Sequence, residues 1–528
     1  MVPINFESEP SYVPLALAAL RVATVIYLSS TVVRSLYRAH RSLGPAQETR
    51  HRIEQRSKLT TTFGTLALLG FVFALQSALS YATLSYTVWA AERGITVPTL
   101  SDMFSSSADK PGLYLKYWLS ETPVHLDALE IVAEKARRLY WGQQLDLATV
   151  SWTTLLAIEG RRRKIPFLWA YALLSQLINL SFAQNLFYVA MLLTPSPLSA
   201  KESRVERFLE KMFPSKPANW WPKPSLFYVP SALNYTTIYW LPYAAGTTSF
   251  PTAVALTKIL SLAPLILPAV VPESWGTVYP DSHDAYRTFS RVFQFMSTAS
   301  FLLHAKSTAV GLWSSTPEQY KHRHSIRIPF DTEKRSKWER SSTAIEKVLG
   351  SVRDHPTVAA AGKDVLLCAL SLGLWAAVRA MDVQAMLQSA IPTFNTSAAE
   401  DGSPCADISK APGNFGLPPA IGAEPQDASN SSVTSRRRSR PAKANGSSIT
   451  SFEDGSDKLN QEEDLETKPG KTYEPTPEVK ATINLAQSDV VLDDDFEWES
   501  GSLAWGLTAL GGLAAGCSAV FGAECISR

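Results

Sequence analysis

Long uncharged runs alternate with short charged connections along this chain, and that alternation predicts an all-α, polytopic integral membrane helix bundle. The clearest run is Pro166–Pro195, PFLWAYALLSQLINLSFAQNLFYVAMLLTP. Its stretch of about 28 residues without a charge, at 1.5 Å rise each, is enough to cross a hydrocarbon core of ~30 Å with some tilt. Gln176, Asn179, Gln184 and Asn185 sit in its middle, and the basic collar Arg161–Lys164 lies just before it. Amides at that depth require a neighbouring helix or a polar pocket to face.

The same pattern predicts spans at Tyr12–Val33, Leu59–Val88, Leu145–Ile158, Leu226–Ala244, Thr252–Val271, Thr288–Trp313, Asp364–Ala385 and Ser502–Phe521. With Pro166–Pro195 the total is about nine transmembrane helices, seven to nine as the range, Leu145–Ile158 being the shortest. Between the second and third, residues 122–140 place Val124, Leu126, Leu129, Val132, Ala133 and Ala136 against Asp127, Glu130, Glu134 and Lys135. That spacing predicts an amphipathic helix on the membrane surface or capping the bundle. In the last span, Gly512 and Gly516 form a G-x-x-x-G helix-packing device.

Residues 1–396 therefore read as the bundle, 397–489 as a disordered Ser/Asp/Glu/Lys-rich loop, and 490–528 as an acidic lead-in with the final helix. Asn395, Asn430 and Asn445 open glycosylation triplets, which fits a luminal position for the loop. The basic connection from Arg34 to Lys58 predicts a cytoplasmic side, and the basic loop Lys321–Arg340 falls on that same side if every run crosses once. The N-terminus is then luminal and the C-terminus cytoplasmic, with the endoplasmic reticulum as the default membrane. Glu7 and Glu9 replace the positive start of a cleaved signal, so the first run reads as a retained anchor.

Composition narrows the chemistry. The net charge of +2 and the scatter of basic residues over separate loops predict no nucleic-acid partner. Cys368, Cys405, Cys517 and Cys525 have no metal spacing and outline no disulfide framework. Phosphate-cradling, nucleophile-elbow and zinc-protease motifs are missing, so no cofactor and no metal is expected. The Asp493–Asp495 run reads as a solvated, helix-leading acidic stretch.

Buried polar positions then become the candidates. Lys258 and Lys306 lie near span ends, where their ammonium groups snorkel. Arg21 and His304 lie deeper; Arg21 is expected to pair with Glu159 or Asp364, and His304 to be a neutral imidazole bonded to a neighbouring helix or a catalytic group. Gln176 and Asn179 share a helix face, as interhelical glue or as the wall of a substrate pocket. The loop Pro272–Arg287 gathers Glu273, Asp281, His283 and Asp284 among Trp275, Tyr279 and Tyr286. An acid at an apolar mouth retains its proton, and aromatic faces stabilise a developing cation; together they are what proton-initiated cyclisation needs. Glu273, Asp281 and Asp284 are the candidate acids, with Tyr239, Trp240 and Trp275 as candidate cation stabilisers. An ordinary polar turn with interfacial aromatics is the other reading. Glu497 and Glu499 beside Trp498 form a second such group.

In SFAQNLFYVAMLLTP, LPYAAGTTSFPTA, PESWG and FEWESGSLAWGLTALGG the chain resembles the fungal polytopic membrane proteins of meroterpenoid and indole-diterpenoid pathways, some of them membrane-bound terpene cyclases. That resemblance implies protonation of a terminal epoxide or alkene on a lipophilic, prenylated small molecule dissolved in the bilayer. A transporter built around Arg21, His304 and the central amides, and a membrane scaffold recruiting partners through the long loop, are the alternatives.

Overall fold

The structure, a computed structural model, describes residues 11–42, 50–97, 114–194, 220–278, 282–323, 331–392 and 497–526. The loop 397–489, Asn395, Asn430, Asn445, Asp281 and Asp493–Asp495 lie outside the described residues, as do the side chains of His283 and Asp284. The described chain is helical apart from two short antiparallel ribbons, and four stretches are long and apolar enough to cross a membrane: Val13–Arg41, Ser57–Glu92, Phe250–Val270 and Pro356–Val378.

Contacts between helices fix the direction of each. Helix α1 (Val13–Ser42) starts beside Ser120, whose hydroxyl accepts from the Ser11 N–H at 3.2 Å; we call this the Ser11 end of the bundle. Helix α2 (Arg50–Glu92) returns to it, with Phe63 against the Tyr188 and Trp375 rings low down, and Tyr81 and Tyr86 against His355 and Trp118 at the top. Two short helices, α3 (Leu115–Glu121) and α4 (Val124–Glu134), follow at the Ser11 end. Helix α5 (Ala136–Leu155) then descends and closes with a π-helical turn, Leu156–Gly160, at the opposite, Arg161 end. The predicted short span Leu145–Ile158 is thus the lower part of a full-depth helix. Its hydroxyls explain why its hydropathy is weak: Thr149, Thr153 and Thr154 each donate to a carbonyl one turn back, so they are buried without orphaned groups.

The run Pro166–Pro195 does not cross. It breaks into α6 (Leu168–Leu177) and α7 (Leu180–Leu193), antiparallel to each other, with the Tyr171 and Phe187 rings 5.7 Å apart. Arg163, at the foot of α6, donates to the carbonyls of Met191 and Thr194 at the end of α7. The chain therefore enters from the Arg161 end, turns at Ile178–Asn179 and leaves where it came in. Asn179 causes the break: extended at φ −165°, its side chain accepts the Phe182 N–H and caps α7. Charge-free length alone could not reveal it, because two buried half-depth helices need as many apolar residues as one spanning helix.

Helix α8 (Ser225–Ala244) rises beside α10 (Ser282–Ser315), pairing Phe227 with Phe289 and Tyr235 with Phe295, and α9 (Phe250–Val270) descends between them in sequence. At the foot, strands β1 (Trp220–Pro222) and β2 (Gly276–Val278) pair antiparallel, while Gly311 of α10 meets the Ala136 carbonyl at the Ser11 end. Strands β3 (Tyr320–Arg323) and β4 (Asp331–Lys334) and helix α11 (Lys337–Gly350) follow there. The described parts of the basic stretch, residues 321–323 and 331–340, consequently lie at the opposite end from residues 34–42 and 50–58. The expectation that both share a side fails because the first hairpin returns the chain to its starting end.

Helix α12 (Pro356–Val378) descends again and stops earlier than the predicted Asp364–Ala385 span. Ala380 takes φ +45°, and Asp382 accepts the Gln384 and Ala385 N–H groups to cap α13 (Val383–Ala390) at the foot. The last run is also a hairpin. Helix α14 (Trp498–Gly511) rises from the Ala376 carbonyl, the backbone reverses at Gly512 (φ +80°), and α15 (Leu513–Ile526) comes down to Glu524 beside Arg163 and Arg379. Gly516 faces Thr508 and Ala504 of α14, so the G-x-x-x-G spacing packs the two arms of one hairpin. Among the described residues, seven elements thus run the full depth (α1, α2, α5, α8, α9, α10 and α12), and two hairpins are inserted from the Arg161 end.

The core lies between α5, α7, α12 and α15, where Trp375 stacks on Tyr188 at 4.5 Å. At its foot Glu159, wholly buried, pairs with Arg162 at 2.5 Å and Arg163 at 3.3 Å, and Glu524 pairs with Arg163 and Arg379 at 3.4 Å. Glu159 thus finds its partners locally and is not the counter-ion of Arg21.

Candidate functional site

Above the first hairpin the helices stand apart around a chamber of about 1210 Å³. Its floor is the hairpin tip, Gln176–Ser181, and its roof is α4 through His125, Leu126 and Leu129. The predicted amphipathic helix therefore caps the bundle, turning its apolar face into the chamber. Most of the wall is aliphatic, from α1, α2, α5, α9 and α12.

Charged and titratable groups interrupt that wall: Arg21, Tyr81, His125, Asp146, Lys258, Lys363 and Asp364. Arg21, from α1, donates to the Leu177 carbonyl at 3.1 Å, at the C-terminal end of α6, and to His125 Nδ1 at 3.0 Å. A guanidinium only donates, so His125 Nδ1 accepts and its proton sits on Nε2. Burial of the ring, with the charges of Arg21 and Lys258 nearby, lowers the His125 pKa to about 4. On the facing wall Lys258 of α9 pairs with Asp146 of α5 at 3.1 Å. Lys258 thus has a partner on the neighbouring helix while its side chain stays partly exposed. Asp364 of α12 accepts the Ser181 N–H at 2.8 Å and the Leu180 N–H at 3.0 Å.

These bonds have one logic. Breaking a helix inside the bundle exposes carbonyls at one new end and N–H groups at the other, each costing several kcal/mol if left dry. Arg21 meets the carbonyl end of α6 and Asp364 the N–H end of α7, each with the charge that complements the helix dipole. Arg21 and Asp364 both serve the break, but at its opposite sides.

Of the candidates read from sequence, Gln176 and Asn179 line the chamber. Gln176 donates to Ser261 of α9 at 3.2 Å and Asn179 to the Gly70 carbonyl at 2.9 Å, so both are also interhelical ties. The other described candidates are not among its lining residues. Glu273 is exposed in the turn after α9, where its carbonyl accepts from Trp220, and Trp275 beside it is also exposed. Tyr239 and Trp240 face outward on α8, about 20 Å along that helix from its Trp275 end, with Lys306 over the Tyr239 ring at 3.9 Å. His304 is buried at the second hairpin tip against Gly512 and the Tyr140 ring, its Nδ1 without a hydrogen-bond partner. Asp146 and His125 were missed by the sequence reading. Asp146 could have been found as the single charge between Trp141 and Ile158. His125 had no such signal, because a histidine on the first turn of a surface helix is unexceptional.

The chamber has a side opening. Residues of α1 and α2 both line it, yet α1 packs along α3, α6 and α7. Beside that gap, Leu17, Val22 and Ile26 of α1 and Leu75 of α2 are exposed to the exterior of the bundle. Comparison with family models, with curated proteins and with solved structures gave no match to this chain.

Proposed function

We propose that this chain is an integral membrane protein that takes a lipophilic small molecule with a polar head from the bilayer into the chamber. The observation that carries this reading is the chamber itself: aliphatic walls, an apolar gap between α1 and α2, and polar groups gathered at its depth. Volumes of several hundred to a thousand Å³ with mostly apolar lining and a few convergent polar groups are typical of small-molecule sites. On this reading seven helices cross the membrane, and the two hairpins make up the remainder of the nine apolar runs. The Arg34–Lys58 connection and the Arg161–Lys164 collar favour a cytoplasmic Arg161 end, with the N-terminus luminal and the C-terminus cytoplasmic, in the endoplasmic reticulum. Filling the gap tests the reading: Ala18→Trp with Ala74→Trp should abolish co-purification of lipophilic molecules, detected by native mass spectrometry, while thermal stability is kept. Equal occupancy in the double variant would overturn it.

A second reading makes the chamber an active site for proton-initiated cyclisation of a prenylated, epoxidised substrate. The Asp146–Lys258 pair, within the aliphatic chamber, favours it: the proton would come from the Lys258 ammonium, which Asp146 holds in place; Glu273 and Trp275 are exposed at the other end. Microsomes holding the full chain and a farnesyl-epoxide phenol should yield a cyclised product that Asp146→Asn removes. Unchanged substrate with the wild-type chain would end this reading without touching the first.

A further inference from the structure

We infer that the hairpin tip is a head-group site selective for a hydrogen-bond donor, such as a hydroxyl, over heads with no proton to give; this rests on the chamber reading above. Asp364 is the centre of the site. It is buried, and the two N–H groups it accepts from Leu180 and Ser181 occupy one position on each carboxylate oxygen. A carboxylate oxygen has two acceptor positions; the Cys368 thiol takes the second on Oδ1 at 3.9 Å, and Oδ2 retains its second toward the chamber the residue lines. It accepts both N–H groups at the positive end of α7 and so presents acceptor oxygens there.

A second observation points to the same ligand. The Ser181 hydroxyl, wholly buried beside the carboxylate and lining the chamber, closes no hydrogen bond of regular geometry within the protein. One helix over, the backbone of Gly70 makes room for it: a Cβ at that position would stand 2.8 Å from Ser181 Oγ and 3.2 Å from the Phe182 nitrogen. Higher on the same wall, the Ser77 hydroxyl is 6% exposed, lines the chamber and is likewise without a partner. Buried polar groups without partners cost free energy unless a ligand or water completes them. A hydroxyl fits: its proton goes to Asp364 while its oxygen accepts from Ser181. A methyl ether or a carboxylate head has no proton to give Asp364.

The test uses the full chain in lipid nanodiscs and three photoreactive C16 alkyl diazirines that differ only in their head: alcohol, methyl ether and carboxylate. The alcohol should label residues of the chamber at least tenfold more efficiently than the other two, at matched concentration. Ser181→Ala, which removes the hydroxyl and leaves the backbone N–H on Asp364, should reduce that preference severalfold while thermal stability is kept. Asp364→Asn should abolish it, and because that variant also alters the α7 cap, Ser181→Ala carries the decision. Equal labelling by all three probes, or an unchanged preference in Ser181→Ala, would overturn the hydroxyl site and leave the chamber reading standing. No chamber labelling by any probe would overturn both.

Discussion

The Arg163 guanidinium donates to the Met191 carbonyl at 2.8 Å, across 28 residues of chain. An uninterrupted helix of that length would separate the two by about 40 Å. The bond therefore carries the topology in a single contact: what reads as a membrane span is a hairpin that returns to its base.

That geometry is open to a labelling experiment. In sealed microsomes, single cysteines at Lys164 and Lys223 should react with a membrane-impermeant maleimide from the same side. Cysteines at Lys116 and Glu318 should react only from the other. Opposite accessibility for Lys164 and Lys223 would restore a single crossing and dismiss the hairpin.

Arg163 also joins both hairpins to the core, through Met191 and Thr194 on one side and Glu524 on the other. Arg163→Ala should destabilise the protein by about 3–5 kcal/mol, the usual result of removing one partner from a buried ion pair. Arg163→Lys retains charge but loses the fork and should recover only part of it. Thermal unfolding in detergent measures both, and a shift in Arg163→Ala no larger than that of an exposed-site control would refute the clamp.

Gly512 reverses the second hairpin at φ +80°, with a hypothetical Cβ only 2.9 Å from the His304 ring. Gly512→Ala should therefore lose at least 1 kcal/mol from the backbone alone, with a steric penalty added. Adding His304→Ala should relieve the steric part, so the two changes should be non-additive in a double-mutant cycle. Simple additivity would show that the His304 ring does not crowd the turn.

His125 provides a pH signature outside the spanning helices. Its pKa falls from 6.5 to about 4 on folding, so the unfolded chain takes up the proton first as acid is added. The stabilisation from the neutral ring is fully present above pH 6.5 and is lost as pH falls toward 4. Thermal midpoints of the wild type should drop over that window more than those of His125→Gln. Parallel curves would show that the ring is not held neutral against Arg21.

Much of this architecture was legible in the sequence. The apolar runs mark the buried helices, the spacing of Val124 to Ala133 marks the roof, although the predicted helix over 122–140 breaks at Lys135, and Gln176 and Asn179 lie at the floor of the chamber. What stayed hidden depended on partners far away in the chain. Asn179 reads as one more buried amide until Gly70 and Phe182 are seen to take its two ends. Hydropathy measures burial, and burial is the same for a helix that crosses and a helix that turns back. The acid–aromatic loop at Pro272–Arg287 showed the converse problem: residues close in sequence were read as one site, whereas Asp146, Lys258, Arg21 and Asp364 converge from four different helices.

The Asp364 carboxylate reaches its N–H partners across 184 residues of chain. At ordinary synthesis rates of 5–20 residues per second, that separation is roughly 10 to 40 s of translation. During this interval the first hairpin has been made, its base is already clamped by Arg163, and its tip has Arg21 but no anion. The N–H end of α7 must then be kept wet or held by the insertion machinery until α12 arrives. The last helix to line the chamber is thus also the one that seals its floor, so nascent chains stopping short of Pro356 should be recognised as unfinished while chains that include Asp364 should not.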